Sequence, residues 1–503
     1  MARFCGSAAE KRFQAFLVFC GVFSWGHFIL MASMGMELAL DLLSFWTLGI
    51  LVSALGMAMN PSRIIWAGSH AFFWVAFSYQ KAPGGPNHLF LMYLISVGIF
   101  IAVCLQSLSE LSSKSLNREK TFMRLIAFGR WQVLIVYFFA VFHKLNADFF
   151  NTESSCAVAM ALDIVHRFPG LSDYDSIPYP MVIIVSTLAL EAIIPILLVF
   201  PATRFWGVLT GLWFHSLLSM HPNLYVLSFT FEIQAIYMLF IPIKIIEHAK
   251  EDGAACLFRL GQPKVLNQSV LGMAALVFLG LSMWIGHGEF ARVFRMALRL
   301  SWFGWVTMMS AYLIWNRYYR KNEYVKSAAM KEASPWIPGL LLTPIVLLTF
   351  FNGCTPYIGW KTNTNFSMFS NLRTETSTTN HLLLPRSFGG WTSAEKMVMI
   401  LEANDPYLIS IRNLNETGRE WYVPEVLVRR RATVGQDENF TVVVKRLNGK
   451  VEYASRSTEA LKSLQEKEWK ENPKLIEGVS LFERKFIDFR PIPLDGKPIP
   501  CLH

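Results

Sequence analysis

The sequence predicts an all-α polytopic membrane bundle joined to a small α+β unit outside the membrane, and three observations carry that expectation. First, 53% of the 503 residues are hydrophobic and only 16% are charged, where a soluble domain carries about a quarter charged residues. Second, apolar runs of roughly 18–24 residues, the length a helix needs to cross the hydrocarbon core, recur up to residue 352 and then stop. Third, Lys and Arg gather in alternate loops between those runs, as the positive-inside rule requires.

Taken in order, about eleven runs have spanning length: 13–35, 42–60, 63–80, 88–108, 124–146, 179–200, 203–221, 225–246, 267–287, 294–316 and 336–352. The first follows Arg3, Lys11 and Arg12, like the basic start of a signal peptide. Its apolar stretch is too long for such a leader and no small-residue cleavage site follows, so it is read as a retained span. One set of loops holds Arg63, Lys114, Arg118, Lys120, Arg124, Arg204, Lys244, Lys250, Arg259, Lys264, Arg317, Arg320, Lys321, Lys326 and Lys331. The other holds only Lys81, Arg167, Arg292 and Arg295. This asymmetry predicts a cytoplasmic N-terminus and an extracytoplasmic C-terminal unit. The net charge of +10 is therefore topological, and no nucleic-acid partner is expected.

The boundary is predicted at 352/353, giving a transmembrane domain over 1–352 and an α+β domain over 353–503. Val423, Val426, Val428 and the run Phe440–Val444 have the β-branched character of short strands, as does Leu408–Ile411. Thr392-Ser393-Ala394-Glu395 reads as a capping box opening a short helix through Met397, Ile400 and Leu401. A second helix is predicted from Ser457 to Glu471, and Pro491, Pro493, Pro498 and Pro500 predict an extended terminus. Asn415-Glu416-Thr417 and Asn439-Phe440-Thr441 are glycosylation sequons in a eukaryotic host. The seven cysteines form no C-x-x-C pair, so no metal site is expected. Cys156, Cys354 and Cys501 fall on the oxidising side, where a disulfide is permitted, and the spacing does not choose a pair.

Chemistry is sought among ionisable residues in or at the ends of spans: His27, His70, His88, His143, Lys144, Glu191, His215, His221 and Glu232. Such groups are expensive in a bilayer and are candidates for function by default. Neutral imidazole is cheap to bury, so His27 and His70 read as packing residues. Lys144 stands out, at the outer end of the run Ile135–Phe149. A lysine where the charged form is disfavoured is a usable proton acceptor, and His88, also at an outer helix end, could stabilise developing charge in the same cavity. Against this stands Asp148, four residues on, which would hold Lys144 charged if both lay on one helix.

The stretch Val136–Phe149, with His143-Lys144-Leu145-Asn146, resembles the signature of the vitamin K-dependent gamma-glutamyl carboxylases and their wider relatives, the HTTM membrane proteins. Pro86-Asn87-His88 is similar to the family's Asn-His element, Phe214-His215 to a further family histidine, and Phe366–Glu375 to its post-membrane segment. The resemblance implies a membrane lyase in which Lys144 deprotonates reduced vitamin K or another quinol. Dioxygen then gives a strong base that removes a glutamate γ-proton, and carbon dioxide adds to the carbanion. It assigns charge stabilisation to His88; quinol or substrate contacts are expected of Asn87, His143, Asn146 and His215, and of the intramembrane carboxylate Glu191. Implied partners are membrane lipid, the quinone, and a glutamate-containing peptide or protein, in a bacterial inner membrane or the endoplasmic reticulum. The chain departs from the carboxylases at His143, where they have a second lysine, at Asn146, where they have aspartate, and in its shorter tail. The alternative reading is a non-catalytic protein of the same fold: a transporter, an immunity factor or a partner-binding scaffold. Transport predicts Glu191 and Glu232 on one polar path.

Overall fold

The computed structural model describes residues 6–34, 44–111, 117–168, 171, 176–259, 289–319, 336–434, 440–455 and 473–501. The candidate span 267–287 and the candidate helix 457–471 lie outside them. In the first part the chain forms α1 (Ala8–Ala32), α2 (Phe45–Met59), α3 (Ile64–Lys81), α4 (Asn87–Leu111), α5 (Arg118–Phe142), α6 (Ala147–Phe150), α7 (Cys156–Val165), α8 (Pro180–Val199), α9 (Arg204–Leu218), α10 (Leu224–Tyr237), α11 (Ile243–Arg259), α12 (Glu289–Tyr319) and α13 (Thr343–Cys354).

Among the described residues, four helices are long and apolar enough to cross a membrane: Ala8–Ala32, Asn87–Glu110, Arg118–Phe142 and Pro180–Val199. The remaining predicted spans that are described also contain helix, but those helices are shorter or more polar, so the structure supports fewer crossings than the hydropathy count. The 14 residues of α10 advance only about 21 Å at 1.5 Å per residue, short of the ~30 Å hydrocarbon core. On α8 the apolar side chains of Val182, Val185, Ile193 and Ile196 face outward. Such a surface is a liability in water and suits acyl chains.

Local sequence explains the ends that matter for the site. Asn117 caps α5 by accepting from the Lys120 backbone N–H at 3.1 Å. The helix stops at Phe142, and the chain turns through His143 and Lys144. Asn146 then caps α6, accepting from the Phe149 N–H at 2.9 Å. Lys144 therefore sits in a turn rather than on a continuous helix.

The tail contains β1 (Met397–Ala403), α14 (Pro406–Leu414), β2 (Trp421–Pro424), α15 (Glu425–Val434), β3 (Thr441–Arg446), β4 (Val451–Ser455), β5 (Pro473–Leu475), α16 (Leu481–Phe486) and β6 (Ile492–Pro493). They build one sheet of order β5-β4-β3-β1-β2-β6, antiparallel except for the parallel β4–β5 pair. Leu408 and Ile411 of α14 and Val426 and Leu427 of α15 pack with Val398, Ile400 and Val444 in its core. The α+β expectation is met in outline, with three local corrections. Met397–Leu401 is a strand, because pairing with β2 and β3 satisfies its backbone and Ser393–Lys396 make only a short turn. Leu408–Ile411 is helical, opened by Asp405 accepting from Leu408 N–H at 2.9 Å and by Pro406 in the first turn. Val426 and Val428 belong to α15, not to a strand.

The tail is tied to the helices in several places. Cys156 and Cys501 form a disulfide, leaving Cys354 free. Asn371 accepts from the Cys156 N–H at 2.8 Å and donates to the Ile499 carbonyl at 2.8 Å. Leu382 N–H donates to the Leu145 carbonyl at 2.9 Å, just beyond the end of α5.

Candidate functional site

At the end of the helical bundle that carries the tail, a cavity of about 360 Å³ is walled by the start of α4, the end of α5, α8, the α9–α10 junction and the tail. It brings together Asn87, His88, Lys144, Glu191 and His215, five of the residues singled out in the sequence and far apart along it. They meet because α5 packs against α8 while α10 packs against α1, α4 and α5.

Lys144 is 3% exposed. Its Nζ lies 3.1 Å from Glu191 Oε1 and 2.9 Å from Oε2, and it donates to the Ala140 carbonyl at 3.2 Å. The expected competitor, Asp148, is engaged elsewhere: its Oδ2 accepts from Asn380 Nδ2 at 2.8 Å and from Ile499 N–H at 3.2 Å. The i,i+4 spacing fails because no helical turn links 144 to 148. The counter-ion is instead Glu191, brought in by α8.

His88 is also buried, its Nε2 3.0 Å from Ser228 Oγ, which lies 2.8 Å from His27 Nδ1. The serine hydroxyl bridges two imidazoles, so His27 orients His88 through Ser228 rather than merely packing. Also in the lining, Tyr137 Oη is 2.7 Å from His215 Nε2 and bonded to the Tyr237 hydroxyl. Asn87 faces the tail, its Oδ1 accepting from the Phe366 N–H at 2.6 Å. This contact holds the post-membrane segment over the cavity. In that segment and just before it, Thr364, Phe366, Phe369 and Asn371 have positive φ. Such conformations cost of order 1–3 kcal/mol each and persist only when the surroundings impose them. Phe369, Tyr407 and Arg490 complete the roof.

Two of the residues expected to contact quinol or substrate are not brought to the cavity. His143 points away, with Nε2 3.0 Å from the Gly353 carbonyl and its ring beside Tyr357. Asn146 is structural, donating to the carbonyls of His143 at 2.7 Å and Ser370 at 2.5 Å. Glu232 does not line the cavity, and its two carboxylate oxygens have no hydrogen-bond partner. Sequence reasoning overlooked Tyr137, Ser228 and Arg490. Tyr137 lies seven residues before Lys144, a spacing that on the predicted span 124–146 puts both on nearly the same face, and was findable. Ser228 and Arg490 carry no local signal.

Chemically, the arrangement offers a shielded amine paired with one carboxylate, two imidazoles held by hydroxyls, apolar walls from Val136, Ala140, Phe214 and Phe229, and a guanidinium at the roof. Comparison with protein-family models, curated proteins and solved structures yields no match.

Proposed function

We propose that this chain is an integral membrane enzyme in which Lys144 acts as base toward a lipid-soluble quinol, coupled to carboxylation of glutamate side chains. The observation that supports it most is the shielded Lys144 amine on the wall of a largely apolar cavity shared with His88 and His215. The residues fit a quinol: Val136, Ala140, Phe214 and Phe229 suit its rings, and the hydrogen-bonding edge of His215 and Tyr137 suits a ring oxygen. When bound, the quinol would supply the reducing equivalents that, with dioxygen, generate the strong base required to remove a glutamate γ-proton.

The chain's own residues do the rest. Lys144 Nζ and the Glu191 carboxyl lie about 3 Å apart, close enough for a proton to pass between them. With that proton on the carboxyl, Nζ carries a lone pair and can take a hydroxyl proton. The ammonium so formed is balanced by the anion left in the cavity, in a setting where water does not screen the attraction. His88, held by Ser228, presents an imidazole edge to developing charge. Arg490, partly exposed at the roof with its Nε unpartnered, suits an anionic substrate entering from the tail side. The Cys156–Cys501 disulfide fits an oxidising compartment, so this reading keeps the cytoplasmic N-terminus, the outside tail and the fuller set of crossings suggested by hydropathy. Transport is less favoured, because Glu232 lies off the cavity that contains Glu191.

The test is a purified-protein assay for quinone epoxide and for carbon dioxide fixed into a glutamyl peptide, with Lys144→Ala as control. Loss of both products in a variant that still inserts supports the reading. Undiminished turnover in Lys144→Ala overturns it.

A further inference from the structure

A second, smaller cavity of about 50 Å³ lies between the end of α3, the 82–86 turn and the tail. Its lining shares only Pro86 with the larger cavity, and the reaction described above makes no use of it. Three lysines line it, Lys81, Lys361 and Lys485, and no aspartate or glutamate does.

Lys361 is 5% exposed, with Nζ 3.2 Å from Asn352 Oδ1 and 4.2 Å from the centre of the Phe90 ring. Neither neighbour carries a negative charge. The carboxylate whose charge reaches it, Asp488, already bonds Arg430 at 3.1 Å and Asn363 at 2.7 Å. Lys485 donates to the Tyr79 carbonyl at 2.8 Å, which fixes its ammonium at the rim.

Two hydroxyls in the same lining, Ser78 Oγ and Thr364 Oγ1, are buried without a hydrogen-bond partner. Thr364 is 3% exposed and sits at φ 51°, its carbonyl fixed by Asn352 Nδ2 at 3.0 Å. Buried hydroxyls are normally satisfied, and an orphan calls for a missing partner. A ligand that accepts from both hydroxyls and balances Lys361 and Lys485 has to be an anion, and an oxyanion brings several acceptor oxygens to the four groups at once. A water needs roughly 10–15 Å³ of such space, so the cavity has room for a phosphate-sized group and not for a bicyclic ring.

We propose that this cavity binds a tetrahedral oxyanion of phosphate chemistry, held by Lys361 and Lys485 and by the hydroxyls of Ser78 and Thr364. The source is either a free oxyanion or the phosphate of an anionic lipid whose chains lie beside Tyr79 and Phe486, both exposed at the rim.

The full chain in neutral detergent is titrated with inorganic phosphate, against chloride at equal ionic strength, while its unfolding temperature is followed. In parallel, chains reconstituted in phosphatidylglycerol or phosphatidylcholine nanodiscs are assayed for lipid retained through native mass spectrometry. The variants are Lys361→Met, Lys485→Met and Thr364→Val, the last nearly isosteric so that packing is kept. Saturable stabilisation by phosphate, or selective retention of phosphatidylglycerol, weakened about tenfold or more in each lysine variant and measurably in Thr364→Val, supports the site. Competition of phosphate with retained lipid identifies one shared position, and retention that phosphate does not displace identifies the lipid as occupant. Absence of both responses in the native chain, or responses unchanged in all three variants, overturns the proposal.

Discussion

If Lys144 and Glu191 form one electrostatic unit, removing either should cost far more than removing both. The amine and carboxylate lie about 3 Å apart, where two unit charges at an effective dielectric of about 20 attract by roughly 5–6 kcal/mol. Their side chains are only 4% and 11% exposed, so each has lost most of its hydration. Lys144→Met leaves the Glu191 carboxylate buried without its cation, and Glu191→Leu strands the amine. Breaking a buried pair in this way costs about 3–5 kcal/mol, while replacing both partners with apolar residues is often near neutral. The double variant Lys144→Met/Glu191→Leu is therefore expected within about 2 kcal/mol of the native chain. The measurement is reversible unfolding in mixed micelles for all four proteins, read as a double-mutant cycle. A coupling energy near zero, with the single losses simply adding in the double variant, would refute the claim that the two groups act as a unit.

Three further outcomes are expected. Burial holds the Lys361 amine down to about 8 from its ordinary 10.5, with Asp488 opposing. Below pH 8 both folded and unfolded chains carry the proton, and the burial penalty is fully present. Between pH 8 and 10.5 only the unfolded chain retains it, so stability rises with pH, by about 3 kcal/mol at about 1.4 kcal/mol per unit. In phosphate-free buffer Lys361→Met should lack that rise and be more stable at pH 7; equal pH profiles would contradict the assignment. Replacing Cys156 and Cys501 with serine opens a link between residues 345 apart and should lower stability by about 2–5 kcal/mol, seen as earlier release of the tail to protease. Gly211→Ala would drive a Cβ into the Tyr237 hydroxyl, costing about 1–3 kcal/mol. Because Tyr237 bonds Tyr137, it should also lower turnover in the quinone assay; unchanged stability and turnover together would show that the ring relaxes freely.

Much of the helical framework could be read from the sequence, since an apolar run of spanning length can satisfy its backbone in lipid only by coiling on itself. The meeting of His88 and Lys144 was legible for a related reason: charge bias placed their helix ends on one side, whereas His215 was singled out only by the family resemblance. Glu191 was named as a candidate, yet its role as counter-ion was not, because a pairing 47 residues distant leaves no local trace while Asp148 offered a plausible near neighbour. The tail misled more often. Met397–Leu401 and Leu408–Ile411 exchanged their expected states because strand pairing depends on partners from elsewhere in the chain, although Asp405-Pro406 was a readable helix start.

The amino-acid order alone determined where apolar segments fall, which loops carry positive charge, and which ionisable groups stand at helix ends, because each follows from the transfer energy of a contiguous segment. Only the tertiary structure decided which acid meets Lys144, which cysteine meets Cys501, and that His143 and Asn146 turn away from the cavity. These outcomes are set by how α5, α8 and the tail pack, and packing energies belong to pairs of distant surfaces rather than to any one stretch of chain.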